Sequence, residues 1–154
     1  MKNEFMKRAI ELSIESVNSG GGPFGTVIVK DNKILAEGSN RVTSTNDPTA
    51  HGEIVAIRNA CKNLGNFNLS NCELYTSCEP CPMCLSAIYW SRIIKIYFGN
   101  TRNDAQKIDF DDSFIYSELE KKIEERKIPM IQMMKNEALK AFELWDKKKD
   151  KVKY

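Results

Sequence analysis

The sequence predicts an α/β fold, a three-layer α/β/α sandwich with a mixed central sheet. Three features carry this expectation: an amphipathic opening segment closed by three glycines, a close pair of short apolar runs behind it, and helical and strand patterns that then alternate. In the opening segment Phe5, Ala9, Leu12 and Val17 recur near helical spacing over residues 4–18 and stop at Gly20, Gly21 and Gly22, which predicts the first helix. Residues 24–29 and 34–37 are apolar runs parted by Lys30-Asp31-Asn32-Lys33, a turn-forming cluster of hairpin length. Thr49 is a candidate N-cap for a helix over residues 50–64, with Ile54, Val55, Ile57 and Ala60 on its apolar face and Gly65 ending it. Residues 74–76 read as a strand, 82–91 as a helix, and 93–98 as another strand, rich in β-branched and aromatic side chains. Two further helical patterns lie at 113–125 and 136–149, with a strand expected between them at 128–133. No internal repeat or low-complexity linker interrupts the chain, so one domain over residues 1–154 is expected.

Composition narrows the class. Of 154 residues, 42% are hydrophobic and 29% charged, close to the average for globular proteins, and folding at this size hides roughly two-thirds of the chain's surface. Lys and Arg total 23 against 21 Asp and Glu, and a formal charge of +2 gives no electrostatic reason to expect a nucleic acid partner. The lysine-rich end, residues 147–153, reads as a solvated face. The N-terminus lacks the continuous apolar core of a signal peptide, and no stretch approaches about 18 consecutive apolar residues, so a cytoplasmic protein without a membrane span is expected.

Five cysteines stand at 61, 72, 78, 81 and 84, and the last three fall within seven residues. In a reducing compartment such a cluster signals metal binding or catalysis rather than disulfides. The chain has one histidine, His51, so any imidazole chemistry must use it. His51-Gly52-Glu53 and Pro80-Cys81-Pro82-Met83-Cys84 together make the H-x-E and P-C-x-x-C pattern of zinc deaminases. Cys81 and Cys84, three apart at a helix start, can turn both sulfurs to one side, where the positive helix end favours thiolates. His51 and Glu53 are two apart and diverge on a helix interior, so both reach one point only if the helix end faces the site. Two thiolates and a neutral imidazole match the charge of one Zn²⁺ per chain and leave a fourth position for water, the pattern of catalytic zinc. Glu53, which is not a ligand in this pattern, becomes the candidate general acid and base.

Other uses of these residues fit less well. An iron–sulfur run would continue from Cys78, Cys81 and Cys84 to a fourth cysteine followed by proline, but the chain has Ile88 and Tyr89 there. A noncatalytic zinc module used for interaction would need a fourth protein ligand, for which Cys78 is nearest, and would leave Glu53 without a role. Cys61 and Cys72, outside the cluster, read as small buried hydrophobes.

At these motifs the chain resembles the cytidine deaminase-like superfamily and, within it, the bacterial guanine deaminases. The likeness extends over Gly22-Pro23-Phe24-Gly25, Asn46-Asp47-Pro48-Thr49-Ala50-His51, residues 75–90, Phe110-Asp111-Asp112-Ser113-Phe114 and the terminal Tyr154. The resemblance implies a homodimer that hydrolyses guanine, a small-molecule purine, to xanthine and ammonia and exchanges its C-terminal segments, about residues 136–154, between subunits. It further implies that Asn40 hydrogen-bonds the purine ring, that Phe24 packs on the ring face, and that Asp112 contacts the base or the leaving amine. By the same resemblance the Gly52 amide contacts a substrate carbonyl and Tyr154 closes the partner's pocket. Gly52 is a departure, since the family usually has Ala there, and loss of that methyl is expected to loosen the pocket floor. The nearest rival within the same chemistry is deamination of adenosine in transfer RNA, or of another nucleoside or cytosine.

Overall fold

Strand β1 (Gly25–Lys30) is central because its residues serve two cores at once. Val27 and Val29 pack with Phe5, Ala9 and Leu12 of helix α1 (Lys2–Asn18), while Ile28 points into the opposite layer. That alternation is the period-two signature of a strand buried on both faces. The computed structural model describes residues 2–154 as two compact units, one ending at Asp112 and the other spanning Ser113–Tyr154.

In the first unit, β1 is followed by β2 (Lys33–Ser39), a short helix α2 (Val42–Thr45), α3 (Gly52–Leu64), β3 (Cys72–Cys78), α4 (Pro82–Trp90), β4 (Lys95–Asn100) and α5 (Arg102–Gln106). The sheet order is β2-β1-β3-β4, with β1 antiparallel to β2 and β3, and β3 parallel to β4. The mixed sheet and the three layers are therefore as the sequence predicts. Helix α1 covers one face; on the other, Ala56 and Ala60 of α3 and Ile88 of α4 pack with Ile28, Ala36, Leu69 and Leu74. Each fully buried Ile or Leu among them contributes about 1.5–3 kcal/mol relative to exposure. The hairpin is tighter than the sequence suggests: Asp31 and Asn32 alone turn the chain, both at positive φ (50° and 57°), as a two-residue type I′ turn requires. The α2 and α5 helices were not expected, being single turns whose apolar periodicity is too short to register.

Helix α3 meets β2 without a side chain between them. A Cβ added at Gly38 would overlap the Gly52 carbonyl and lie 2.5 Å from the Ala56 nitrogen. The first turn of α3 is thereby pressed onto the hairpin. Gly52 itself faces the sheet, since its Cβ would meet the Phe24 carbonyl and the Thr26 hydroxyl at 3.3 Å each. The missing methyl thus bears on helix-to-sheet packing at this point.

The second unit holds α6 (Ser113–Glu120), a 3₁₀ turn at Ile123–Glu125 and α7 (Lys135–Lys147). The helix expected to run to residue 125 stops at Glu120. The strand expected at 128–133 does not form: the segment makes no ladder among the described residues, and Pro129 lacks the N–H a ladder needs. None of the described residues in this unit is buried, and Ile131 (81% exposed) and Phe142 (74%) face solvent. No helix is long and apolar enough to cross a membrane.

Gly38→Ala should destabilise the protein by about 1–3 kcal/mol, because backbone stands where the methyl must go. The drop is read from urea unfolding, and an unchanged midpoint would mean that α3 can shift away from β2 at no cost.

Candidate active site

Both helices that carry the predicted metal ligands begin at a ligand. His51, not Thr49, is the N-cap of α3 (φ −67°, ψ 158°), and Cys81 is the N-cap of α4 (φ −66°, ψ 168°), with Pro82 at the first helical position. Thr49 is drawn away from capping by Asp47, whose Oδ1 accepts hydrogen bonds from the Thr49 N–H at 2.8 Å and hydroxyl at 2.6 Å. This Asx-type turn ends the loop, and the helix therefore starts two residues later than the sequence suggests. Neither helix has a side-chain cap hydrogen bond, so the partial positive charge of two N-termini is directed at one place.

There the donor atoms converge. His51 Nδ1 lies 3.6 Å from Cys81 Sγ and 3.5 Å from Cys84 Sγ, and the three donor atoms are all within 4.8 Å of one another. Tetrahedral zinc with ordinary Zn–N and Zn–S bonds sets an N···S edge of about 3.6 Å, which both His51–cysteine distances match, so His51, Cys81 and Cys84 could hold the ion. Cys78 takes no part: it lies outside this group, and its thiol donates to the Thr101 carbonyl at 3.7 Å. Burial pushes its pKa up to about 11. A four-cysteine or iron–sulfur arrangement thereby loses its nearest extra ligand. All five cysteines are free, and Cys72 lies in the core as expected, with Cys61 half-buried at its margin.

The electrostatics favour a cation. The Cys84 thiol donates toward Cys81, which with His51 holds the Cys81 thiol down to about 4, while the same contact drives Cys84 far up. Two sulfurs sharing one proton carry a single negative charge, and a divalent cation at the site would release the second. Glu53 is only 6% exposed, and burial raises its pKa, reinforced by the Cys81 charge and opposed by His51. A carboxyl so deeply buried is rarely left without a task.

Around this centre the other expected residues divide. Phe24 and Asn40 are neighbours: the Asn40 N–H donates to the Phe24 carbonyl at 3.0 Å, and a Cβ on Gly22 would touch both side chains at 3.3 Å. The Asn40 side-chain oxygen accepts from the Val42 N–H at 3.2 Å, so its amide N–H groups are the capacity left for a ligand. Asp112 is half-buried; burial raises its pKa, and the Cys81 charge adds to the shift, which places its carboxyl within electrostatic reach of the metal ligands. Tyr154 belongs to the second unit, where its exposed ring stands edge-on to Trp145 at 6.4 Å. Sequence reasoning assigned no role to Phe110, whose ring meets Phe24 edge-to-face at 4.9 Å, or to Gly22. Nothing local marks either; only their place in the resembling segments pointed to them.

Comparison with known proteins agrees with this geometry. The family model of the cytidine and deoxycytidylate deaminase zinc-binding region matches residues 1–100. Guanine deaminase of Bacillus subtilis is 55% identical over 151 residues, 97% of each chain. Its crystal structure superposes with a TM-score of 0.95 at 54% identity, covering 99% of this chain and 98% of that one. A tRNA-specific adenosine deaminase of Buchnera aphidicola is 38% identical over 146 residues, 94% of this chain and 93% of its own.

Elemental analysis should find one zinc per chain. Cys81→Ser or Cys84→Ser should lose most of it, while Cys78→Ser keeps it. Equal zinc in all three variants would remove the assigned ligands.

Proposed function

Because the chain belongs to the cytidine and deoxycytidylate deaminase zinc-binding family, we propose that it hydrolyses guanine to xanthine and ammonia, with Glu53 as its proton carrier. The observation that carries the substrate is the 55% identity to a guanine deaminase along 97% of both chains, against 38% for a transfer RNA deaminase. The donor set supports the chemistry: His51, Cys81 and Cys84 would hold zinc, which when bound supplies a Lewis acid that makes water acidic near neutral pH.

The chain's own residues do the rest. Glu53 takes one proton of the attacking water and passes it to a ring nitrogen, then takes the second from the hydroxyl now on the ring carbon and gives it to the departing amine, so that guanine and water become xanthine and ammonia. Its burial suits this, because burial raises its pKa and makes the carboxylate a stronger proton acceptor. Asn40 donates from its amide to a ring acceptor, Phe24 offers its face to the purine, and the Gly52 N–H reaches a substrate carbonyl. Asp112 meets the base or its leaving amine. A cytoplasmic setting suits a chain with five free cysteines whose chemistry needs two of them as thiolates.

The C-terminal segment is read as the part exchanged between two copies within an otherwise single domain, with Tyr154 closing the partner's pocket. Supporting this, α7 and its flanks present Met130, Phe142, Leu144 and Trp145 to solvent, an apolar surface that a lone chain leaves uncovered.

Turnover should be fastest on free guanine when guanine, guanosine, cytosine and a transfer RNA anticodon stem are compared, and Glu53→Gln should lower it by about 10²–10⁴-fold with zinc retained. Activity on the RNA alone would defeat the guanine reading. Deleting Val152, Lys153 and Tyr154 should cut guanine turnover, and mixing that variant with full-length Glu53→Gln under subunit exchange should restore part of it. No restoration would reject an exchanged lid.

A further inference from the structure

We infer that Glu79 is a positioning residue for this reaction: its carboxylate fixes the start of α5, and through it Arg102 and Asp112, against the loop that carries Cys81. The inference rests on the deaminase reading of the site and adds a residue to which that reading gives no role.

Three contacts stitch the β3–α4 loop to the β4–α5 loop. The Glu79 N–H donates to the Asn100 carbonyl at 2.8 Å, the Cys78 thiol to the Thr101 carbonyl at 3.7 Å, and the Arg102 N–H to Glu79 Oε2 at 3.0 Å. The first continues the parallel register of β3 and β4, in which Cys78 faces Asn100, so strand pairing alone would supply it. The third is different. It spans 23 residues of sequence and ends on a side chain.

The bond also answers a specific need of α5. A helix leaves its first N–H groups without partners inside the helix. Thr101 and Asp104 satisfy two donors between themselves in a capping box: Thr101 Oγ1 accepts from the Asp104 N–H at 3.3 Å, and Asp104 Oδ2 accepts from the Thr101 N–H at 3.1 Å. The Arg102 N–H, at the first helical position, is left to Glu79. From α5 the chain turns through Asp109 at positive φ, and Phe110, whose N–H returns to the Ala105 carbonyl at 3.1 Å, sets its ring against Phe24. Two residues on is Asp112, whose carboxyl pKa is raised chiefly by burial, with the Cys81 charge adding to the shift and the Arg102 cation opposing it.

Glu79 therefore joins, in one half-buried side chain, the loop that places a metal ligand and the segment that places Asp112. What this position needs is an acceptor oxygen, not a charge. Glutamine keeps the oxygen and loses the charge, whereas alanine loses both, and this separates positioning from electrostatics.

The test uses the zinc-loaded, full-length enzyme as wild type, Glu79→Ala and Glu79→Gln, with guanine kinetics, zinc content and amide hydrogen exchange over residues 100–112. Glu79→Ala should keep its zinc, lose roughly tenfold or more in kcat/KM, and exchange the Arg102 amide faster. Glu79→Gln should recover most of both. Wild-type kinetics and exchange in Glu79→Ala would overturn the inference, as would a glutamine variant no better than alanine, or zinc lost in proportion to activity. If the wild type does not act on guanine, the substrate reading fails, and exchange still decides on Glu79: a slow Arg102 amide in wild type and glutamine but a fast one in alanine supports it, and equal rates in all three overturn it.

Discussion

The contact on which the first unit's chemistry depends contains no side chain. Where α3 crosses β2, Gly38 lets the helix backbone lie directly on the strand, and Gly52 beside it brings the same turn close to the Phe24 carbonyl and the Thr26 hydroxyl. This close approach sets the height of α3's first turn over the sheet. His51, Gly52 and Glu53 all belong to that turn or its cap. Helix α4 arrives independently, at the end of β3, and starts on Cys81 because Pro82 fixes the next residue's φ and offers no N–H. Two helix ends converge because each is anchored to the same sheet, and the positive ends of their dipoles do part of the work of keeping thiolates ionised.

Much of this was legible in the sequence, and for identifiable reasons. Phe5, Ala9 and Leu12 recur at helical spacing, and β1 and β3 are dense in apolar residues, so the layers and the sheet could be read from periodicity. The ligand set could be read because metal chemistry restricts residue types: with one histidine and a paired-cysteine motif, few assignments were open. The misplaced helix start came from local ambiguity. Thr49 is a good cap by type, and only the competing carboxylate of Asp47, two residues earlier, shows why it does not act as one. The strand expected at 128–133 failed for a different reason, since apolar content predicts burial and not the partner that provides it. Phe110 and Glu79 carry no signal of their own, because their roles are defined by loops that meet only in the folded chain.

The resemblance and the physical reading supported different parts of the picture. The zinc ligands follow from residue chemistry, and the distances around His51 match such a donor set. The residues proposed to face the purine came from resemblance, and the structure adds detail to them: the Asn40 oxygen is already engaged by Val42, and Phe24 meets Phe110 edge-to-face.

The division between helix ends and loops also bears on how such a protein can change over evolutionary time. His51, Glu53, Cys81 and Cys84 all sit within the first turn or the cap of a helix anchored to the sheet. Asn40, Phe24, Phe110 and Asp112 lie in connecting segments outside the regular elements. A loop can lengthen, shorten or exchange side chains without altering the register of a helix packed on a strand. One hydrolytic centre can accordingly be handed, largely unaltered, from one aminated ring to another, with most of the diversification left to the loops around it.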